Sequence, residues 1–158
     1  VVIRFNGGVT RGYEEHVGTK STFRLYNGPY TTTHVPGEAA IAQIRDLASR
    51  AWVKSAVKHG DSLSALFDLD FLCQAWDLVV RAGLRPSSGL VGVAFALSQC
   101  SFPVAVFGFQ YSQYFDPDVQ PHYFDWERPK KGREHVHPFS EEAQLLLELQ
   151  AAGFVALH

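Results

Sequence analysis

The sequence predicts an α/β fold, with helices layered on a sheet, and three features predict it. "PVAVFGF" (Pro103–Phe109) is an almost wholly apolar run of strand length, the composition of a strand covered on both faces. It follows "SGLVGVAFALSQC" (Ser88–Cys100), a small-residue apolar stretch that reads as a buried helix, and a helix leading into a buried strand is α/β layering. Near the start, "VVIRFNG" and "STFRLYNGP" alternate in hydrophobicity and stop at Asn-Gly, as strands closed by turns do.

Taken in order, the two alternating strands flank a polar connection, "GVTRGYEEHVGTK". From Glu38 to about Lys58, Ile41, Ile44, Leu47 and Ala51 fall at helical spacing, and a second helical pattern covers about Ser62 to Arg81, with His59-Gly60-Asp61 between them. Pro86 and two serines precede the buried helix, as expected of a hydroxyl N-cap. "YSQYFDPDVQPHYFDWERPKKG" is aromatic, Pro-bearing and irregular; loops of that length in compact domains are usually functional. Ser140 is the expected cap of a last helix whose Glu141 and Glu142 suit its positive end and whose Leu145, Leu146, Leu149 and Ala152 share a face, before Gly153 and a short closing strand, "FVALH".

With 158 residues, 46% hydrophobic and 19% charged, the chain fits one domain, residues 1–158, with a real core. Its 14 Lys and Arg against 16 Asp and Glu give a net charge of −2, which argues against a partner held by phosphate neutralisation along a nucleic acid. Cys73 and Cys100 form no CxxC, so neither a zinc ribbon nor a redox pair is indicated. The chain opens mid-strand and has no basic leader, signal-peptide core or run of about 18 apolar residues, so a fragment lacking its upstream part is expected.

Three clusters are candidates for chemistry. In "RPSSG", Ser87, Ser88 and Gly89 form either an ordinary N-cap or, through hydroxyls and helix-start N–H groups, a seat for a phosphate or carboxylate. In "RFNGG", Asn6 closes a strand where α/β sheets bind ligands, and its amide can donate to and accept from a base or sugar; turn chemistry explains it equally well. In "PHYFD" and "EHVHPFSEE", His135 and His137 are metal ligands with His122 or Asp125, solvated loop residues, or a base. His137 suits a base because it precedes a helix start, whose field disfavours imidazolium.

In family order, these segments resemble the eukaryotic-type sialyltransferases, glycosyltransferase family 29. "VVIRFNGGVTRGYEEHVGTKSTFRL" resembles the second half of the large sialyl motif, "LRPSSGLVGVAFALSQC…VFGF" the small motif, "HYFD" the third, and His137 to Glu142, a His-x4-Glu spacing, the very small one. The resemblance spans Val1 to Glu142 and implies a Rossmann-like, mostly parallel sheet flanked by helices, a glycosyltransferase-A-like variant in which the first strand of the nucleotide site is missing. It also implies an inverting, metal-independent transfer of sialic acid from CMP-sialic acid to a hydroxyl of a glycan on a glycoprotein or glycolipid, with no cofactor. CMP-linked Kdo transfer and a non-catalytic sugar-nucleotide- or glycan-binding domain are the alternatives.

By resemblance, His137 is the base, and Asn6, Ser87, Ser88, Gly89 and His122 hold the donor. Glu142 orients the turn, and Cys100 pairs in the complete protein with a cysteine outside this chain. A type II Golgi membrane protein, anchored only through a missing N-terminal segment, is the implied setting. Asp68-Leu69-Asp70 has the spacing of a metal-holding pair but falls in an amphipathic helical pattern, which favours a solvated helix face.

Overall fold

A computed structural model describes residues 1–28, 37–59, 63–79, 84–109, 113, 115–126, 132 and 135–158. In chain order the elements are β1 (Ile3–Phe5), α1 (Glu14–Val17), β2 (Phe23–Tyr26), β3 (Ala39–Ala42), α2 (Leu47–His59), β4 (Ala65–Leu66), α3 (Leu69–Asp77), α4 (Ser88–Gln99), β5 (Val104–Val106), α5 (Phe139–Ala151) and β6 (Val155–Leu157). They group into two compact units, Val1–Leu72 and Cys73–His158.

The first unit is built on a parallel sheet in the order β1-β2-β3-β4. Phe5, Leu25 and Ile41 stand in register across the first three strands, so the chain leaves all three at one edge, through Asn6, Asn27 and Gln43. That carboxyl edge is where open parallel sheets bind ligands. Leu25, Tyr26, Ala40 and Ala42 are buried. The small side chains of β3 allow the strand to be covered closely. Arg4 donates to the carbonyls of Val17 (2.7 Å), Gly18 (3.2 Å) and Lys20 (2.8 Å), satisfying main-chain acceptors where α1 ends.

The second unit pairs β5 and β6 in parallel, with α5 between them in the chain, as a parallel pair requires a crossover. Val93 of α4, Val106 of β5, Leu146 of α5 and Val155 of β6 form its core, with Leu97, Phe109 and Leu149 packed around them.

The α/β class and the parallel pairing are as the sequence implied, while several element assignments are corrected. The helix expected from Glu38 begins only at Leu47, because Ala39–Ala42 form β3. A short Ala/Ile run carries no periodicity that separates a buried strand from a helix. Among the described residues, the helix expected over about Ser62 to Arg81 is α3, preceded by β4. The polar connection contains the one-turn helix α1. In β5, Ala105 is exposed, so the strand is not covered on both faces. The cap of α5 is Pro138 rather than Ser140, whose hydroxyl donates instead to Glu141 Oε2 at 2.7 Å. His59 ends α2, and Gly60 and Asp61 lie outside the described residues.

Candidate functional site

Two helix starts meet in the second unit. Ser87 caps α4, its hydroxyl accepting from the Leu90 N–H at 3.2 Å. The same hydroxyl donates to Glu142 Oε2 at 2.6 Å, and the Ser87 N–H donates to Glu142 Oε1 at 2.6 Å. Glu142 lies in the first turn of α5 and is fully buried. One carboxylate therefore closes a capping arrangement between two helices far apart in sequence. Its charge is stabilised by charge-assisted bonds and by the positive end of α4. Glu142, through these two bonds, ties the first turn of α5 to Ser87.

His137 lies on the approach to α5 and is only 9% exposed. Its Nδ1 stands 2.9 Å from the Arg85 carbonyl oxygen. A carbonyl only accepts, so Nδ1 carries the proton and Nε2 of the neutral ring carries the lone pair. Arg85 N–H in turn donates to the Val136 carbonyl at 3.2 Å, so the segments before α4 and before α5 are laced together beside the histidine. A pocket of about 270 Å³ opens here, lined by Leu84, Phe115, His137, Pro138, Phe139, Ser140 and Glu141. Phe139 lies between two ring neighbours, Phe115 at 5.6 Å and His137 at 5.5 Å. The exposed Glu141 carboxyl is held below its ordinary value by the Ser140 hydroxyl and by its own N–H, which keeps a negative charge on the pocket wall at neutral pH.

Ser88 is buried in the first turn of α4. Gly89 follows it, and a Cβ there would lie 2.6 Å from Phe109 Cε1 and 3.1 Å from its Cζ. The glycine is therefore required by the aromatic ring packed on it, whatever it offers a ligand.

Asn6 belongs to the first unit. It adopts a positive φ of 44°, which asparagine tolerates better than other side-chain-bearing residues. Its Oδ1 accepts from the Asn27 N–H at 3.1 Å, bridging the ends of β1 and β2. Beneath it, the buried Arg24 guanidinium pairs with Glu38 and donates to the carbonyls of Asn6 (3.1 Å) and Gly8 (2.6 Å).

The remaining candidates are spread along the chain, Asp68 in the first unit and the others in the second. His122 is exposed on its loop, with Nδ1 3.2 Å from Asp125 Oδ1 and its ring stacked on Phe124 at 5.2 Å. His135 is exposed in a short turn whose N–H donates to the Gly132 carbonyl. Cys100 is a partly exposed free thiol at the C-cap of α4, and Cys73 is an exposed one. Asp68 is a helix cap, its Oδ1 accepting from the N–H groups of Asp70 (2.9 Å) and Phe71 (3.3 Å). Asp116-Pro117-Asp118, a second Asp-x-Asp spacing absent from the sequence expectations, closes on itself with Asp116 Oδ1 accepting from the Asp118 N–H at 2.9 Å. Among the described residues, no three His, Cys, Asp or Glu side chains gather as a metal site, and no helix is long and apolar enough to cross a membrane. Tyr111 and Tyr114 of the aromatic loop lie outside the described residues.

Sequence reasoning missed Arg24, Glu38 and the Arg85 carbonyl. A cation inside the apolar strand "TFRLY" was a signal for Arg24; a main-chain carbonyl leaves none.

Comparison with known proteins places these features in a family. The model of glycosyltransferase family 29 (sialyltransferase) matches residues 1–63 and 43–154. Beta-galactoside alpha-2,6-sialyltransferase 2 of Gallus gallus is 25% identical over 129 residues, covering 63% of this chain and 24% of that protein. The Homo sapiens protein of the same name is 23% identical over 129 residues, with the same shares covered. The chain thus spans about a quarter of the length of these relatives. A crystal structure of a mammalian sialyltransferase superimposes with a TM-score of 0.71 at 21% identity, covering 99% of this chain and 59% of that one. Another, of a mammalian sialyltransferase in complex with Gal-beta-1-3GalNAc-ortho-nitrophenol, gives 0.71 at 19%, with the same coverage.

Proposed function

The chain belongs to glycosyltransferase family 29, the sialyltransferases, and from that premise we propose that it is part of the catalytic domain of an enzyme transferring sialic acid from CMP-sialic acid to a glycan hydroxyl. The observation that carries this reading is His137. It is a buried imidazole whose Nδ1–H is committed to the Arg85 carbonyl, so that Nε2 is the basic nitrogen, on the wall of a pocket beside a helix start locked by Glu142.

The acceptor hydroxyl gives its proton to His137 Nε2 as its oxygen bonds to the anomeric carbon of the sialyl group. The bond from that carbon to the phosphate oxygen breaks, and CMP departs with the electron pair. A single displacement inverts the anomeric centre. His122 donates to the leaving phosphate, and Asn6 contacts the nucleotide. Ser87 has its hydroxyl hydrogen and its N–H directed at Glu142, so Ser88 and the Gly89 N–H take the larger share of holding the donor's ribose or carboxylate. The pocket is just below the roughly 300–1,000 Å³ of whole-ligand sites, which suits the sugar end of the reaction rather than an entire nucleotide sugar.

Beta-galactosides are the first acceptors to try, because they name the curated relatives. The Golgi lumen, with a type II anchor outside this chain, is the setting the family suggests. Transfer assays on the full-length protein with CMP-Neu5Ac and CMP-Kdo test the proposal. Transfer from CMP-Neu5Ac is expected, transfer from CMP-Kdo alone would move the donor to Kdo, and CMP binding without transfer to any acceptor would make the domain a binding module.

A further inference from the structure

We infer that Arg24 and Glu38 are positioning residues for nucleotide binding, and that they act by fixing the turn that carries Asn6. The inference rests on the reading of Asn6 as a nucleotide contact.

Arg24 stands in the middle of β2, and Glu38 immediately precedes β3. Both side chains are 0% exposed and are joined by Arg24 Nε to Glu38 Oε1 at 2.7 Å. Glu38 Oε2 also accepts from the Ser21 hydroxyl. From this anchored carboxylate the guanidinium reaches the far side of the turn, where Nη1 donates to the carbonyl oxygens of Asn6 at 3.1 Å and Gly8 at 2.6 Å. The two acceptors flank Gly7, so the chain leaving β1 bends around a single nitrogen. Asn6 is held at its left-handed φ of 44° by this grip from below and by its own Oδ1 bond to the Asn27 N–H.

Stability alone explains this arrangement poorly. Two charges have been taken out of water, and among the described residues Arg24 Nη2 is buried without a hydrogen-bond partner. A buried ion pair is often replaceable by apolar side chains of similar volume at no loss of stability. What an apolar pair cannot do is hold two carbonyls with one nitrogen of a planar guanidinium while a carboxylate fixes another, and a lysine's point charge cannot either. The grip sets backbone geometry at the carboxyl end of β1, the edge at which a parallel sheet meets its ligand.

The test compares CMP affinity, by titration calorimetry, with thermal stability in the full-length protein. The double variant Arg24→Met with Glu38→Leu is expected to keep its Tm within about 3 °C of the parent or to exceed it. It should bind CMP at least ~10-fold more weakly, as Asn6→Ala should. Adding Asn6→Ala to the double variant should cost little more, because the pair acts through Asn6. Arg24→Lys keeps the ion pair and loses the fork; it covers the case of a double variant that does not fold, and it too should weaken CMP about 10-fold at an unchanged Tm. Unchanged CMP affinity in either variant overturns the inference, as does a loss fully additive with that of Asn6→Ala. Unchanged affinity in Asn6→Ala itself overturns the nucleotide reading and this inference with it.

Discussion

At the scale of single residues, His135 and His137, two positions apart, separate on burial. His135 is exposed in a turn; His137 is 9% exposed and has its proton placed on Nδ1 by a carbonyl acceptor. A base needs an oriented ring with a lone pair available to substrate, and the Arg85 carbonyl orients the buried ring of His137. General acid–base catalysis contributes about 10²–10⁴-fold, so His137→Ala should lower turnover in the sialyl transfer assay by that order, with His135→Ala within about threefold of the parent. Equal losses in two variants with parental circular dichroism would remove His137 from its role. The His-x4-Glu spacing was legible in the sequence as a motif. What it could not carry was the physical difference between its histidines, because the Arg85 carbonyl that makes that difference belongs to the main chain.

Among elements, the starts of α4 and α5 are one unit, since Glu142 completes a helix cap whose N-cap residue, Ser87, is 55 residues away. Ser87→Ala removes an N-cap hydroxyl and should cost about 0.5–2 kcal/mol. Glu142→Ala leaves the Ser87 N–H buried without its charged acceptor and should cost more, on the order of 3 kcal/mol. In urea unfolding the double variant should lose less than the sum, with a coupling of about 1 kcal/mol or greater; additive losses would mean the two helix starts are independent. Gly89 offers a test of sign. Replacing glycine by alanine in a helix ordinarily stabilises by roughly 0.5–1 kcal/mol. Here the new Cβ would meet Phe109 at 2.6 Å, so Gly89→Ala should instead lower stability, and Phe109→Leu should recover part of the loss. Element identity was the less legible level in the sequence. "EAAIAQI" has helical spacing on paper and forms β3, because a run of small apolar residues fits either structure and only the neighbouring strands, β2 and β4, decide between them.

For the molecule as a whole, the buried helix running into the apolar strand "PVAVFGF" conveyed the α/β class, whereas the parallel pairing was available only as what the family resemblance implied. Three of the four motifs also have a local physical use: Arg24 of the large motif holds a turn, Ser87 of the small motif caps α4, and Glu142 of the very small motif locks that cap. A net charge of −2 offers a departing CMP no general attraction, so stabilisation of its phosphate has to be local. A divalent ion held by an Asp-x-Asp pair is one way to supply it, and both such pairs in the chain have their first carboxylate turned back on the main chain: Asp68 caps α3 and Asp116 closes the turn to Asp118. A hydrogen bond from His122 is the other way, and the one proposed. On that account transfer by the full-length protein should continue in excess EDTA at a rate within about twofold of the untreated enzyme, since charge stabilisation by fixed donors does not depend on a removable ion. Asp118→Asn should be equally silent, whereas His122→Ala should slow transfer more than it weakens CMP binding, because the charge it meets develops as the phosphate leaves. Loss of activity in EDTA with recovery on adding Mn²⁺ or Mg²⁺ would give the phosphate to a metal and leave His122 without the role assigned to it.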